Sequence, residues 1–190
     1  MTRYTSPRSS EMSEDQRRLR DTIVDGPRGQ AGATLLDADG RLVGPFGPML
    51  LDPALGDHLQ AIGLGVQANQ DLPPEIRELI ILRVASARDC PFEWNAHLAR
   101  ARTLGVADEM LAAMADGHLP PDPDPTAAAL LAYAQALLDH AEIDGDLYDR
   151  VTEVAGPGAV FAVTVIVGYY ELLANLFRGF ALDRPAARPV

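Results

Sequence analysis

Residues 72–105 read LPPEIRELIILRVASARDCPFEWNAHLARARTLG, and this stretch holds two helical patterns in succession. The first pattern begins at Pro73-Pro74, a pair that suits the first turn of a helix because N–H groups there have no helical partner. From Ile76 to Ala85 the sequence is too apolar on all sides for a surface helix. The stretch therefore predicts a buried helix around which the rest of the chain is organised.

The second pattern is a shorter helix that follows directly. Asp89-Cys90-Pro91 should end the first helix, because the residue before a proline avoids the α region. Pro91 then lies near the first position of the new helix. Glu93 and His97 are four residues apart and share one face of it, with Cys90 at the N-terminal end of that face. The pattern predicts a thiol, a carboxylate and an imidazole close together.

The rest of the chain also predicts helices. Ser13-x-x-Gln16 fits a capping box for a helix that reaches Val24, after which Gly26-Pro27-Arg28-Gly29 ends it, and residues 34–49 predict an extended, turn-rich segment. Further helices are predicted to begin at Asp52-Pro53, Asp108, Thr126, Asp146 and Ala159. Gly117 ends the helix that begins at Asp108, and Gly156-Pro157-Gly158 separates the last helix from the one before it. Pro120–Pro125 predicts a short linker. Since no long period-2 pattern appears, the sequence predicts an all-α fold.

The last predicted helix, Ala159 to Phe180, is strongly apolar at first. A membrane span needs roughly 20 uninterrupted apolar residues. Glu171, Asn175 and Arg178 interrupt this run too early. We therefore expect a core or subunit-interface helix and no membrane partner.

Composition excludes several classes of function. The net charge of −11 argues against nucleic acid and anionic membranes as partners. The chain has sixteen arginines and no lysine, which excludes Schiff-base chemistry, lysine-anchored pyridoxal phosphate and a Walker-type lysine. A single cysteine forms no intrachain disulfide and fits a reducing cytoplasm, where we expect the protein.

Two charged residues of the buried helix need an explanation. A buried carboxylate such as Glu78 requires a partner or a shift towards its neutral form, and Arg83 raises the same question. Either Glu78 and Arg83 form an ion pair with each other at a subunit interface or Arg83 binds an anion. Cys90 is either a small buried hydrophobic residue or a reactive thiol, and Trp94 either packs or stacks on a substrate. The histidines have no metal-ligand spacing, so no metal is expected.

The group Glu78, Cys90-x-x-Glu93-x-x-x-His97, with Glu93-Trp94-x-x-His97 inside it, resembles the carboxymuconolactone decarboxylase and alkylhydroperoxidase D superfamily. The likeness extends over residues 44–181. It implies a compact multi-helix fold and a homo-oligomer, either a trimer or a hexamer. We accordingly expect an N-terminal arm over residues 1–43, partly disordered with a short helix, then a helical domain over 44–181 and a tail over 182–190.

The resemblance, in its decarboxylase-like branch, implies cofactor-independent acid/base chemistry on a small carboxylated lactone or another substrate derived from an aromatic compound. Loss of CO₂ would give a dienolate that must be stabilised and protonated. His97 would be the leading general acid, with Glu78 and Glu93 orienting it. Arg83 and Trp94 are the candidate substrate-binding residues.

Two alternatives remain open. An alkylhydroperoxidase D-like peroxidase would use Cys90 as its thiol, but Glu93 stands where that branch has its second cysteine, so an external thiol would have to resolve the cycle. A non-catalytic oligomer would instead hold a small ligand in the same pocket without turnover.

Overall fold

The computed structural model describes residues 2–119, 123–183, 185–186 and 189–190. The remaining positions include part of the predicted linker, at residues 120–122, and part of the predicted tail, at residues 184, 187 and 188. The α-helices among the described residues are α1 (Glu14–Val24), α2 (Pro27–Gln30), α3 (Phe46–Met49), α4 (Pro53–Ala68), α5 (Pro74–Ala87), α6 (Pro91–Thr103), α7 (Asp108–Asp116), α8 (Pro125–Leu138) and α9 (Gly145–Phe180). Extended pairing within the described residues is limited to one bridge between Leu36 and Leu42, so the predicted all-α fold is confirmed.

One compact unit consists of residues 2–68 and Asn175–Asp183. In it α1 packs against α2 and α4, and α3 packs against α4. The predicted capping box at the start of α1 is confirmed, because the Gln16 N–H donates to Ser13 Oγ at 3.2 Å and the Ser13 N–H donates to Gln16 Oε1 at 2.9 Å. The predicted domain boundary at residue 44 stays a prediction.

One prediction for this unit is confirmed and one was wrong in detail. The first helix ends at Val24 as predicted, and Pro27–Gln30 form a separate helical turn, α2, with Pro27 at its first position. The extended segment ends before residue 49, because Phe46–Met49 form the helical turn α3.

The second compact unit contains Asn69–Ala174, and α5 lies at its centre against α6, α7 and α8. Every residue of α5 from Ile76 to Ala85 is buried, which confirms the predicted buried helix. The break after α5 is also confirmed. Asp89 adopts a positive φ of 48°, Cys90 is the N-cap of α6, and Pro91 is the first residue of that helix.

Helix α8 begins differently from the prediction. Its N-cap is Asp124 and not Thr126, because Asp124 Oδ1 accepts from the Thr126 N–H at 2.9 Å and from the Ala127 N–H at 3.1 Å. Pro125 occupies the first helical position, where a missing N–H costs nothing. The cap therefore lies two residues earlier than the sequence suggested.

The predicted break at Gly156 is confirmed. Gly156 has a φ of 79° and a ψ of 166° inside α9, a conformation that favours glycine, and Pro157 restarts the helix. By length and composition α9 could cross a membrane, and half of its most apolar 18-residue window is buried inside the protein. The interpretation of its C-terminal part as a core helix stays a proposal.

Candidate active site

The central contact of the candidate site joins α5 to α6. The Glu78 side chain is fully buried on α5, and its Oε2 lies 2.5 Å from His97 Nδ1 on α6. An ionised carboxylate only accepts hydrogen bonds, so this contact places a proton on Nδ1 when Glu78 is charged. The other ring nitrogen, Nε2, is then the one that can exchange a proton with a ligand.

His97 Nε2 faces two further groups. The hydroxyl of Tyr170, from α9, lies 3.1 Å away, and Glu93 Oε2 lies 3.7 Å away, one helical turn before His97 on α6. The Tyr170 and His97 rings meet edge to face, with centroids 5.1 Å apart at an angle of 88°. The imidazole is thereby held from several sides, which limits its rotation.

The start of α6 carries the other predicted residues. Cys90 is buried as the N-cap, Glu93 is buried at the third helical position, and Trp94 is buried beside it. The N-terminus of a helix carries a partial positive charge, which favours a carboxylate or a thiolate there. The structure thus brings Glu78, Glu93 and His97 together and places Cys90 at the end of the same helix.

Arg83 does not join this group. Its Nε donates to Gln135 Oε1 of α8 at 2.7 Å, and its guanidinium group lies near Gly117 at the end of α7. Burial lowers the pKa of the Arg83 guanidinium below its usual value, and the charge of Asp139 partly offsets this effect. Five residues along a helix turn a side chain by about 140°, so Arg83 and Glu78 leave α5 in different directions.

Two other arginines lie next to Glu78, and the sequence analysis missed both. Arg77 Nε is 3.9 Å from Glu78 Oε1, and Arg100 Nε is 3.6 Å from the same oxygen. Arg77 is buried, whereas half of the Arg100 side chain is exposed. Arg100 could have been found, because it lies three residues after His97 and therefore on the same face of α6.

A metal site is not formed by the described residues, in which no group of three or more His, Cys, Asp or Glu side chains could hold an ion. Around the His97 imidazole the described site offers two carboxylates and a phenol, with the Cys90 thiol at the start of the same helix. Such a set can donate, accept and relay protons.

Comparison with known proteins finds a family similar to the segment that carries Glu78, Glu93 and His97. Residues 53–136, which contain α5 and α6, match the Carboxymuconolactone decarboxylase family. No functionally curated protein matches the sequence.

Solved structures extend the likeness to almost the whole chain. A peroxidase-related protein from Ralstonia eutropha JMP134, described as an alkylhydroperoxidase AhpD core, is 18% identical with a TM-score of 0.75, over 97% of this chain and 93% of that one. A peroxidase-related protein from Silicibacter sp. TM1040 is 13% identical with a TM-score of 0.73, over 97% and 92%. A cysteine variant of the debrominase Bmp8 in complex with 2,3,4-tribromopyrrole is 17% identical with a TM-score of 0.71, over 98% and 95%.

At these identities the structures establish the fold alone, which is that of the AhpD-like proteins. Together with the family match over residues 53–136, they support the likeness to the carboxymuconolactone decarboxylase and alkylhydroperoxidase D-like superfamily that the motifs indicated. The solved structures that share this fold include peroxidase-related proteins and a debrominase.

Proposed function

We propose that this protein is an enzyme of the decarboxylase-like branch, which releases CO₂ from a small carboxylated, conjugated lactone or a related substrate derived from an aromatic compound, without a cofactor. The observation that carries the proposal is the 2.5 Å contact between Glu78 Oε2 and His97 Nδ1. With Nδ1 occupied by Glu78, His97 Nε2 is directed towards Tyr170 and Glu93. A substrate bound there can receive the proton that Nε2 carries.

The reaction has two steps. The bond between the carboxylate carbon and the ring carbon breaks, its electron pair moves into the conjugated carbonyl system, and CO₂ leaves. The resulting dienolate then takes one proton from His97 Nε2, and solvent returns a proton to the imidazole. Glu78 and Glu93 stabilise the positive charge that His97 carries as a donor, and Tyr170 can hydrogen-bond to the developing enolate oxygen.

A thiol-dependent reaction is the second candidate. It is favoured by the position of Cys90 at the N-terminus of α6, in a fold shared with peroxidase-related proteins. The cycle would oxidise Cys90 with a peroxide and reduce it with an external thiol, because Glu93 replaces a second cysteine.

Two substitutions separate these candidates. Cys90→Ser should keep decarboxylation within about threefold of wild type, whereas Glu93→Gln should lower it at least about tenfold, because it removes a charge beside His97. CO₂ release from a panel of carboxylated lactones and peroxide consumption with dithiothreitol would be measured on both variants. If Cys90→Ser alone is inactive and folded, thiol chemistry replaces the proposal; binding of the lactones without turnover would support the non-catalytic alternative.

We also propose that the protein is a homo-oligomer. Large apolar side chains are exposed on single helices, including Phe161 at 71% and Leu55 at 55%. A second copy of the chain in a symmetric oligomer would cover such side chains and remove their apolar surface from water. Sedimentation equilibrium at micromolar concentration should therefore give a mass that is a multiple of 20.4 kDa. A mass equal to that of one chain would contradict the proposal.

A further inference from the structure

Two buried polar atoms next to the acid/base site have no hydrogen-bond partner among the described residues. They are Glu78 Oε1 and Arg77 Nε, which lie 3.9 Å apart. This distance is too long for a direct hydrogen bond and suits one bridging water molecule. Buried donors and acceptors are rarely left unpaired in proteins, so the pair marks a place where a small polar molecule binds.

A third polar atom lies beside these two. Arg100 Nε, from α6, lies 3.6 Å from the same Glu78 oxygen. Arg77 is fixed from its other side, because its Nη1 donates to the backbone oxygen of Asn69 at 3.1 Å. Two N–H donors and one carboxylate acceptor provide the two to four partners that a buried water requires.

We propose that Arg77 is a positioning residue of the acid/base site, which together with Arg100 holds a water molecule on Glu78 Oε1 and so keeps Glu78 Oε2 directed at His97 Nδ1. Arg77 touches no reacting atom in this arrangement and acts through Glu78. Of these statements, only the effect of Arg77 on the reaction rate rests on the proposed function. The binding of water and the electrostatic effect on the pair do not depend on which reaction the site performs.

The charges around the pair explain why two arginines are needed. Glu93 faces His97 from α6 and Tyr170 faces it from α9, while Arg77 of α5 and Arg100 of α6 face Glu78. Without the arginines, two buried carboxylates would lie on either side of one imidazole. Removing a nearby cation makes every acid of such a coupled pair harder to deprotonate, so the titration of the pair moves to higher pH.

The test is a substrate-free NMR titration of the His97 imidazole in the full-length protein. Arg77→Gln should move the titration midpoint to higher pH, and Arg77→Lys should restore most of the shift because it keeps the charge. Arg83→Gln is the matched control, since it also removes a buried arginine from α5 but one that donates to Gln135. An unchanged midpoint in folded Arg77→Gln, or an equal shift in Arg83→Gln, overturns the inference.

A second pair of variants keeps the test decisive if Arg77→Gln does not fold. Arg100 is half-exposed, so Arg100→Gln should fold and should move the same midpoint upwards, whereas Arg102→Gln, whose arginine pairs with Asp108, should not. In the active enzyme, Arg77→Gln should lower kcat about tenfold with KM unchanged. A shifted midpoint in a protein that decarboxylates nothing would support this inference and refute the proposed function. If Arg100→Gln also leaves the midpoint unchanged, the inference is refuted, and the proposed function is not affected.

Discussion

His97→Gln is expected to lower kcat for decarboxylation by about 10² to 10⁴, the usual contribution of a general acid–base catalyst. The imidazole is the group whose Nδ1 contacts Glu78 and whose Nε2 faces the Tyr170 hydroxyl. Glutamine is similar in size and can still hydrogen-bond to Glu78, so the fold should survive, but it cannot deliver a proton near neutral pH.

The measurement is the steady-state rate of CO₂ release with the best lactone of the panel, and circular dichroism checks the fold. His58→Gln is the control, because it removes an exposed histidine of α4. The control should keep the wild-type rate. A loss of less than about tenfold in His97→Gln would show that His97 is peripheral to the chemistry.

Local sequence signals were sufficient for the helices around the site. The prolines at positions 73, 74 and 91 set the starts of α5 and α6, and the apolar run from Ile76 to Ala85 gave the burial of α5. These features act over one or two turns of helix, where spacing and backbone sterics decide the outcome. The pairing of Glu93 with His97 followed from helical spacing in the same way.

Contacts between distant parts of the chain were harder to predict. Tyr170 reaches His97 across 73 positions of sequence, and its own neighbourhood, with Tyr169 beside it, favours packing over a site role. Only the packing of α9 brings its hydroxyl to Nε2, and no spacing rule within one helix contains that information. The Glu78–His97 contact joins two helices, and the family resemblance indicated it where periodicity alone could not.

The arginines show how helical spacing decides which side chains reach Glu78. Arg83 lies in the same buried run as Glu78, but the residue spacing along α5 turns it towards Gln135. Arg100 satisfies the i, i+3 relation to His97 and reaches Glu78 Oε1. A substrate carboxylate bound by Arg83 stays a prediction, and the geometry gives that arginine no place beside the imidazole.

Glu78→Gln is the second substitution with a large expected effect. It keeps the shape of the side chain and can accept from His97 Nδ1, but it removes the negative charge that stabilises the protonated imidazole 2.5 Å away. We expect kcat to fall by about 10² with little change in KM, because the lost interaction is made with the catalyst and not with the substrate. Glu171→Gln is the matched control, since Glu171 pairs with Arg88 instead.

The double variant Glu78→Gln/His97→Gln distinguishes a positioning role from an independent one. If Glu78 acts through His97, its charge has no further effect once the imidazole is gone, so the double variant should be about as slow as His97→Gln alone. If Glu78 contacted the substrate directly, the two losses would instead multiply to about 10⁴ or more. If the losses multiply in this way and the variants are folded, Glu78 contacts the substrate and does not act through His97.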